Sequence, residues 1–251
     1  MNILGVDIGG SGIKGAPIDL KTGKLKTERR RIETPQPATP KAVSKTLAKL
    51  VEHFEWTDSI GCGFPAVIQN GVVTTASNID EKWIGTNAEK LFSKTSGCTV
   101  NVVNDADAAG LAEVKFGAGK DNNGVVLLIT IGTGLGSALF NNGELVPNTE
   151  FGHVLIHDKL AEDYAADSVR KAEDLSWKKW GKRFNKYLQH MEHLLSPNLI
   201  ILGGGASKKM DRFGKYLHTR ANVVPAKLLN EAGAIGAALY AYQQNAKGEE
   251  Q

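Results

Sequence analysis

The first residues able to do chemistry stand close together, in Asp7-Ile8-Gly9-Gly10-Ser11-Gly12-Ile13-Lys14, where an apolar strand meets a carboxylate and then a glycine-rich turn. Glycines let backbone N–H groups approach a polyanion and reach φ values closed to other residues. A lysine adds a point charge, and a carboxylate can hold a metal ion through water. The chemistry indicated is phosphate binding; the plainer reading is a tight turn that punctuates a first strand. The same order returns in Val126-Leu127-Leu128-Ile129-Thr130-Ile131-Gly132-Thr133-Gly134-Leu135-Gly136-Ser137. Each copy is followed by a turn, Asp19 to Gly23 and Asn141-Asn142-Gly143, as expected of a strand pair closed by a hairpin. The chain reads as duplicated, and two glycine hairpins, one per lobe, can grip a phosphate chain from both sides. Neither is a Walker loop, because no Gly-Lys-Ser/Thr follows at the right spacing, and neither opens directly into a helix.

The elements that position these turns are legible in part. Between them, Thr39 reads as an N-cap with Pro40 at the first helical position, and Val43, Leu47, Leu50, Val51 and Phe54 share one helical face. Ser59 to Ala66 reads as a buried strand ending in a glycine-proline turn, and Thr99 to Val103 as a strand leading into a helix that closes near Gly117. Asn104 and Asp105 sit at that junction, where Asp is a favoured cap; Asp107 is the expected cap. In the later chain, Trp177, Trp180, Phe184, Leu188, Met191 and Leu195 form an apolar helical stripe. Lys178, Lys179, Lys182, Arg183 and Lys186 recur on an adjoining face, and Lys208, Lys209, Arg212 and Lys215 follow a Gly203-Gly204-Gly205 turn. These two basic groups are either solvated faces or a track for a long polyanion. The basic run from Lys24 to Arg31 reads as a solvated strand face.

Composition narrows the class. With 251 residues, 41% hydrophobic and 23% charged, the chain has enough for one large or two small cored domains. No apolar run approaches membrane-span length, and the start is interrupted by Asp7 too soon for a signal peptide, so a cytoplasmic protein with no membrane partner is expected. The two cysteines, Cys62 and Cys98, lie far apart in apolar surroundings and read as buried free thiols. A formal net charge of +3 permits a polyanionic partner without requiring one, and nothing points to nucleic acid.

Four motifs in order carry a family resemblance: the two glycine hairpins, Val103-Asn104-Asp105-Ala106-Asp107-Ala108, Glu150-Phe151-Gly152-His153, and Leu202-Gly203-Gly204-Gly205-Ala206-Ser207. The chain resembles, over nearly its whole length, the ROK sugar kinases of the actin-like superfamily, and among them the polyphosphate glucokinases. The resemblance implies an α/β fold of two lobes, with a ribonuclease H-like core in each and an interlobe active-site cleft. The boundaries expected are 1–108 with a C-terminal helix 231–246 packed back on it, and 109–230. It implies a glucokinase that moves the terminal phosphoryl group of polyphosphate, and possibly ATP, to the 6-hydroxyl of glucose. Asp105 matches the catalytic base, which must orient the hydroxyl and take its proton.

For glucose, the resemblance implies Phe64, Pro65, Asn78, Asn104, Asp105, Glu150, His153 and Glu162, although Phe64 is equally a core residue and Asn78 equally an Asx turn. For the donor phosphates it implies Asp7, Gly9, Gly10, Ser11, Gly12, Lys14, Thr130, Gly132, Thr133, Gly134, Gly203, Gly204, Gly205 and Ser207. Mg²⁺ is implied with Asp7 as its ligand through water, and Lys178, Lys182, Arg183, Lys186, Lys208, Lys209 and Arg212 are the candidate polyphosphate track. The family commonly forms homodimers. Typical members place a cysteine cluster after the motif histidine, where it holds zinc; Val154 to Ala161 has no cysteine, so no zinc site of that kind can form and another group must orient His153. The alternatives are an ATP-dependent glucose or hexose kinase and a sugar-sensing regulator, the latter disfavoured by the presence of Asp105.

Overall fold

The computed structural model describes residues 1–77 and 79–249. In chain order come β1 (Asn2–Gly9), β2 (Gly12–Asp19), β3 (Lys24–Leu25), β4 (Arg30–Ile32), α1 (Pro40–His53), β5 (Ile60–Phe64), β6 (Ile68–Gln69), β7 (Val72–Val73), α2 (Ala88–Ser96), β8 (Val100–Asn104) and α3 (Asp105–Phe116). There follow β9 (Val125–Ile131), β10 (Leu135–Asn141), β11 (Glu144–Val146), β12 (Leu155–Ile156), β13 (Lys159–Leu160), α4 (Ala161–Ala165), α5 (Asp167–Ala172) and α6 (Trp177–Leu195). The chain closes with β14 (Leu199–Gly203), α7 (Gly204–Ser207), α8 (Met210–Phe213), β15 (Asn222–Pro225) and α9 (Ala232–Glu249). Two compact units result, Met1–Ala112 with Glu231–Gln251, and Glu113–Asn230.

Each unit is built on one mixed sheet. The first runs β3-β2-β1-β5-β8, with β4 also paired to β2, and the second runs β11-β10-β9-β14-β15. In both, the central strand pairs antiparallel with the strand after its glycine turn and parallel with the strand on its other side. The duplication legible in the glycine hairpins is therefore a duplication of sheet topology.

Local chemistry explains the helices. Thr39 accepts a hydrogen bond from the Ala42 N–H at 3.3 Å with Pro40 opening α1, and Val43, Leu47, Leu50 and Val51 are buried on one face. Ser176 caps α6 in the same way, and its Trp180, Phe184, Leu188 and Met191 enter the second core. The junction of β8 and α3 differs from expectation. Asn104 is the cap: its Oδ1 accepts from the N–H groups of Ala106 at 2.9 Å and Asp107 at 3.1 Å, while Asp107 itself is fully buried within the helix. An Asn at this place satisfies two helix-end donors at once and leaves Asp105 to start the first turn.

Helix α9 packs on β1 and β5. The approach is backbone to backbone. A Cβ on Gly5 would strike the carbonyl of Ala234, one on Gly61 that of Ala237, and one on Gly236 that of Ala108 in α3. Bare glycines thus set how near the helix lies to the strand that carries Asp7. Gly61→Ala is expected to destabilise the protein by about 3 kcal/mol, read from urea unfolding, because backbone cannot retreat as a side-chain tip can; a loss below about 0.5 kcal/mol would contradict this packing.

Candidate active site

In the first unit the β1–β2 hairpin places Asp7 and Lys14 directly opposite each other, with Lys14 Nζ 3.6 Å from Asp7 Oδ2. Burial pushes the Asp7 carboxyl up, against the lowering influence of Lys14 and Arg29. The first turn of α9 meets this carboxylate: a Cβ on Gly233 would lie 3.1 Å from Asp7 Cγ. Beside the Gly9–Gly10 turn is a cavity of about 310 Å³, lined among others by Gln36, Pro65, Ser77 and Asp80.

Asp105 stands at the start of α3, half-buried, its Oδ1 accepting from the Ala106 N–H at 2.8 Å. Asn104 Nδ2 donates to the Ala66 carbonyl at 3.2 Å, which ties the cap to the glycine-proline turn. The Phe64 ring is fully buried against Trp83, with centroids 4.6 Å apart, and is core; its side chain offers nothing to a ligand. Asn78 lies outside the described residues.

The second unit gathers Glu150, His153 and Glu162. Ser137 Oγ accepts from the Phe151 N–H at 2.9 Å and donates to the Thr149 carbonyl at 2.7 Å, fastening the Glu150 segment to β10. Gly152 is required by space, since a Cβ would strike the Leu135 carbonyl. The β12–β13 hairpin then turns the chain back, and its closing bond from Ala161 N–H to Val154 O, 2.8 Å, leaves His153 and Glu162 as the next residues outward. His153 Nε2 lies 3.4 Å from Glu162 Oε1. Glu162 is thus the side chain that faces the His153 ring, a neighbour that sequence reading did not find. The signal was present as two short apolar stretches around a His157–Asp158 tip, whose residues both adopt positive φ, 51° and 61°. Glu162 Oε2 also accepts from the Leu135 N–H at 3.4 Å, and its carboxylate fills the space that a Cβ on Gly134 would need. Glu162 thereby joins the Glu150–His153 segment to the second glycine turn.

The glycines of the turns do not all serve one purpose. Gly204 has φ 77° and lies hard against the backbone of Ile131, so conformation and space both demand it. Gly10, Gly132 and Gly205 have no positive φ, and among the described residues no atom lies within 4 Å of where a Cβ would stand. Neither packing nor a positive φ among the described residues requires glycine at these three positions. Thr130, at the end of β9, pairs with Gly203, whereas Ser207 is buried and donates to the Gly204 carbonyl at 2.8 Å.

Of the basic residues, Lys178, Lys182, Lys209 and Arg212 are exposed. Arg183 is engaged, with Nη2 2.7 Å from Glu173 Oε2 and its guanidinium over the Tyr164 ring. Lys186 Nζ lies 3.4 Å from His157 Nε2, and Lys208 donates to Asn230. α8 packs on α6 through Phe213 against Trp180, centroids 4.8 Å apart, so both basic groups belong to neighbouring elements of one unit.

Residues 3–163 match the ROK family, and the chain belongs to it. It is 50% identical to the polyphosphate glucokinase of Mycobacterium tuberculosis over 94% of this chain and 89% of that protein. It is also similar to the crystal structure of the inorganic polyphosphate/ATP-glucomannokinase from Arthrobacter sp. strain KM, with TM-score 0.93 and 46% identity, covering 97% of this chain and 99% of that one. A ROK family glucokinase from Streptomyces griseus, solved with glucose and AMPPNP, shares the fold at TM-score 0.83 and 24% identity, covering 97% of this chain and 100% of that one.

Burial pushes the Glu150 carboxyl up; His153 opposes this and Glu162 adds to it. The folded protein thus holds that proton more tightly than the unfolded chain. Its contribution to stability is present below the unfolded value near 4.5 and is lost as pH rises through the folded value. Glu150→Gln is expected to raise the thermal midpoint at about pH 8, the gain shrinking on acidification. An unchanged or lowered midpoint there would show that Glu150 is not a destabilised carboxylate.

Proposed function

We propose that this chain is a polyphosphate-dependent glucokinase, transferring the terminal phosphoryl group of inorganic polyphosphate to the 6-hydroxyl of glucose. The observation that carries the reading is the 50% identity, over 94% of the chain, to a protein named for that activity. The geometry supports it at the points that matter. Asp105 begins a helix with its carboxylate on the first turn, where it can take the proton of an attacking hydroxyl. Glu150, His153 and Glu162 offer acceptors and a donor for sugar hydroxyls, and Asn104 and Pro65 stand next to the Ala66 carbonyl that the Asn104 amide holds. In the first unit the N–H groups of the Gly9–Gly12 turn, with Lys14 as a point charge, suit the phosphates of the donor; in the second unit the N–H groups of Thr133 and Gly134 suit them, the Gly132 N–H being taken by the Gly134 carbonyl.

ATP is a second donor in this reading. The Arthrobacter relative is named for both donors, and the open space at Gly205, beyond the tightly packed Gly204, gives a nucleotide or a further phosphate room to approach. Mg²⁺ fits beside Asp7: the carboxylate is largely buried and Lys14 is its paired cation, so an ion reached through water relieves an unfavourable charge. That ion would neutralise the donor's phosphates. Lys178, Lys182, Lys209 and Arg212 are the residues we assign to a long donor chain.

We further assign the N-terminal lobe to 1–108 with 231–246 and the C-terminal lobe to 109–230, and infer a cytoplasmic homodimer. No helix among the described residues is long and apolar enough to cross a membrane, and the exposed Leu155 and Leu194 suit a contact between copies.

Asp105→Asn tests the assignment of chemistry. The variant is expected to fold, to keep its KM for glucose within about threefold, and to lose roughly a hundred- to ten-thousand-fold in kcat. Turnover near that of the unaltered protein would remove Asp105 from the role of base.

A further inference from the structure

The two glycine turns share a feature that their sequences do not announce: the carbonyl side of each is held by side chains from elsewhere in the chain. In the first turn, Thr34 Oγ1 donates to the Gly9 carbonyl at 2.5 Å, Arg31 Nη2 to that of Ser11 at 2.6 Å, and Gln36 Nε2 to that of Gly10 at 3.4 Å. Three successive carbonyls are taken by one segment, β4 and the connector after it. Arg31 is exposed, as expected of a solvated strand face, and also lies across Gly12, whose Cβ would stand 2.6 Å from Arg31 Nε. In the second turn, Ser168 at the start of α5 donates through Oγ to the Thr133 carbonyl at 2.5 Å and through its N–H to the Gly132 carbonyl at 3.2 Å.

Neither turn holds its own shape in the usual way. A two-residue hairpin loop matches strand twist through positive φ at a central residue, and a three-residue loop commonly ends with one. Gly10 and Ser11 have none, and neither have Gly132, Thr133 and Gly134. The second turn has one bond of its own, from the Gly132 N–H to the Gly134 carbonyl at 3.0 Å, and in both turns the remaining carbonyls are fixed from outside.

The consequence follows from the planar trans peptide, in which C=O and the next N–H point in opposite directions. Holding the carbonyls of Gly9 and Gly10 toward Thr34 and Gln36 turns the N–H groups of Gly10 and Ser11 away from that segment. Holding those of Gly132 and Thr133 toward Ser168 does the same for the N–H groups of Thr133 and Gly134. Gly10 and Gly132 are also the glycines with open space where a Cβ would stand.

We propose that Arg31, Thr34 and Ser168 are positioning residues for the phosphoryl donor, fixing peptide planes so that turn N–H groups face its phosphates before it arrives. The inference rests on the reading of the turns as the donor site. Preset donors need no rearrangement when charge reaches them, and so stabilise it more than mobile ones.

The test measures binding of inorganic tripolyphosphate by calorimetric titration, alongside KM for polyphosphate and for glucose. Thr34→Val keeps the shape and removes the hydroxyl; Thr34→Ser restores it; Ser168→Ala probes the second turn independently. Thr34→Val and Ser168→Ala are each expected to raise the tripolyphosphate Kd and the donor KM roughly fivefold, the size of one lost hydrogen bond, with glucose KM within about twofold. Thr34→Ser should return the donor constants to within about twofold. Unchanged donor constants, an equal rise in the glucose constant, or no tripolyphosphate binding by the unaltered protein would overturn the proposal. If Thr34→Val weakens tripolyphosphate while the unaltered protein phosphorylates no sugar, the positioning role stands and the kinase reading falls.

Discussion

A peptide group that offers its N–H to a phosphate turns its carbonyl the other way, and that carbonyl, if buried, needs a partner of its own. The bond from Thr34 to the part-buried Gly9 carbonyl meets this need at the first glycine turn, and the bond from Ser168 holds the exposed Thr133 carbonyl at the second, across 25 and 35 residues of chain. Much of the surrounding structure serves to deliver those partners. β4 reaches the turn because it pairs with β2, Lys14 opposite Arg31. α5 begins beside its turn because α4 follows the β12–β13 hairpin and the Trp180 indole, donating to the Ala165 carbonyl at 3.0 Å, anchors the junction of the two helices in the core.

Each unit also carries a partly buried carboxylate whose cost the rest of the fold offsets. Asp7 and Glu150 are both held where burial disfavours their charge, and neither is compensated as fully as a stability-optimised carboxylate would be. Asp167, by contrast, has two cations at 2.7 Å, and they hold its carboxyl below the usual range despite burial. The difference separates a carboxylate that anchors α5 from two whose burial is less fully compensated. The close glycine contacts of α9 with β1 and β5 supply rigidity behind Asp7, so that its strained electrostatics do not become mobility.

Legibility in the sequence followed the distance over which each feature is encoded. The Thr39–Pro40 start of α1, the α6 stripe and the paired hairpins are written within a few residues, by capping chemistry and periodicity, and the structure has them as read. The cap of α3 was misplaced by three residues, because Asn104 and Asp107 are both good caps and only the path of β8 decides between them. Arg31 is the exposed strand charge the sequence indicates, but its bond to the Ser11 carbonyl was not legible, since nothing nearby in sequence shows that β4 returns to Ser11. The partner of His153 was hidden for the same reason: Glu162 becomes its neighbour only once a tight hairpin closes between them. Phe64 could be core or site by type alone, and its contact with Trp83 makes it core. What the sequence does carry well is residue type at the site, since the Glu150, His153 and Glu162 motif residues stand together in one unit.

The phosphoryl donor is what distinguishes a polyphosphate-dependent kinase from an ordinary hexokinase. The measurement that bears on it most directly is glucose 6-phosphate formation by the unaltered protein with Mg²⁺ and nucleotide-free long-chain polyphosphate as the sole phosphoryl source, with ATP run in parallel. The account predicts turnover with polyphosphate at least equal to that with ATP, and a polyphosphate KM that rises with added salt as exposed lysines and arginines are screened. Product from ATP alone would contradict it, and would return the basic faces of α6 and α8 to ordinary solvated surface.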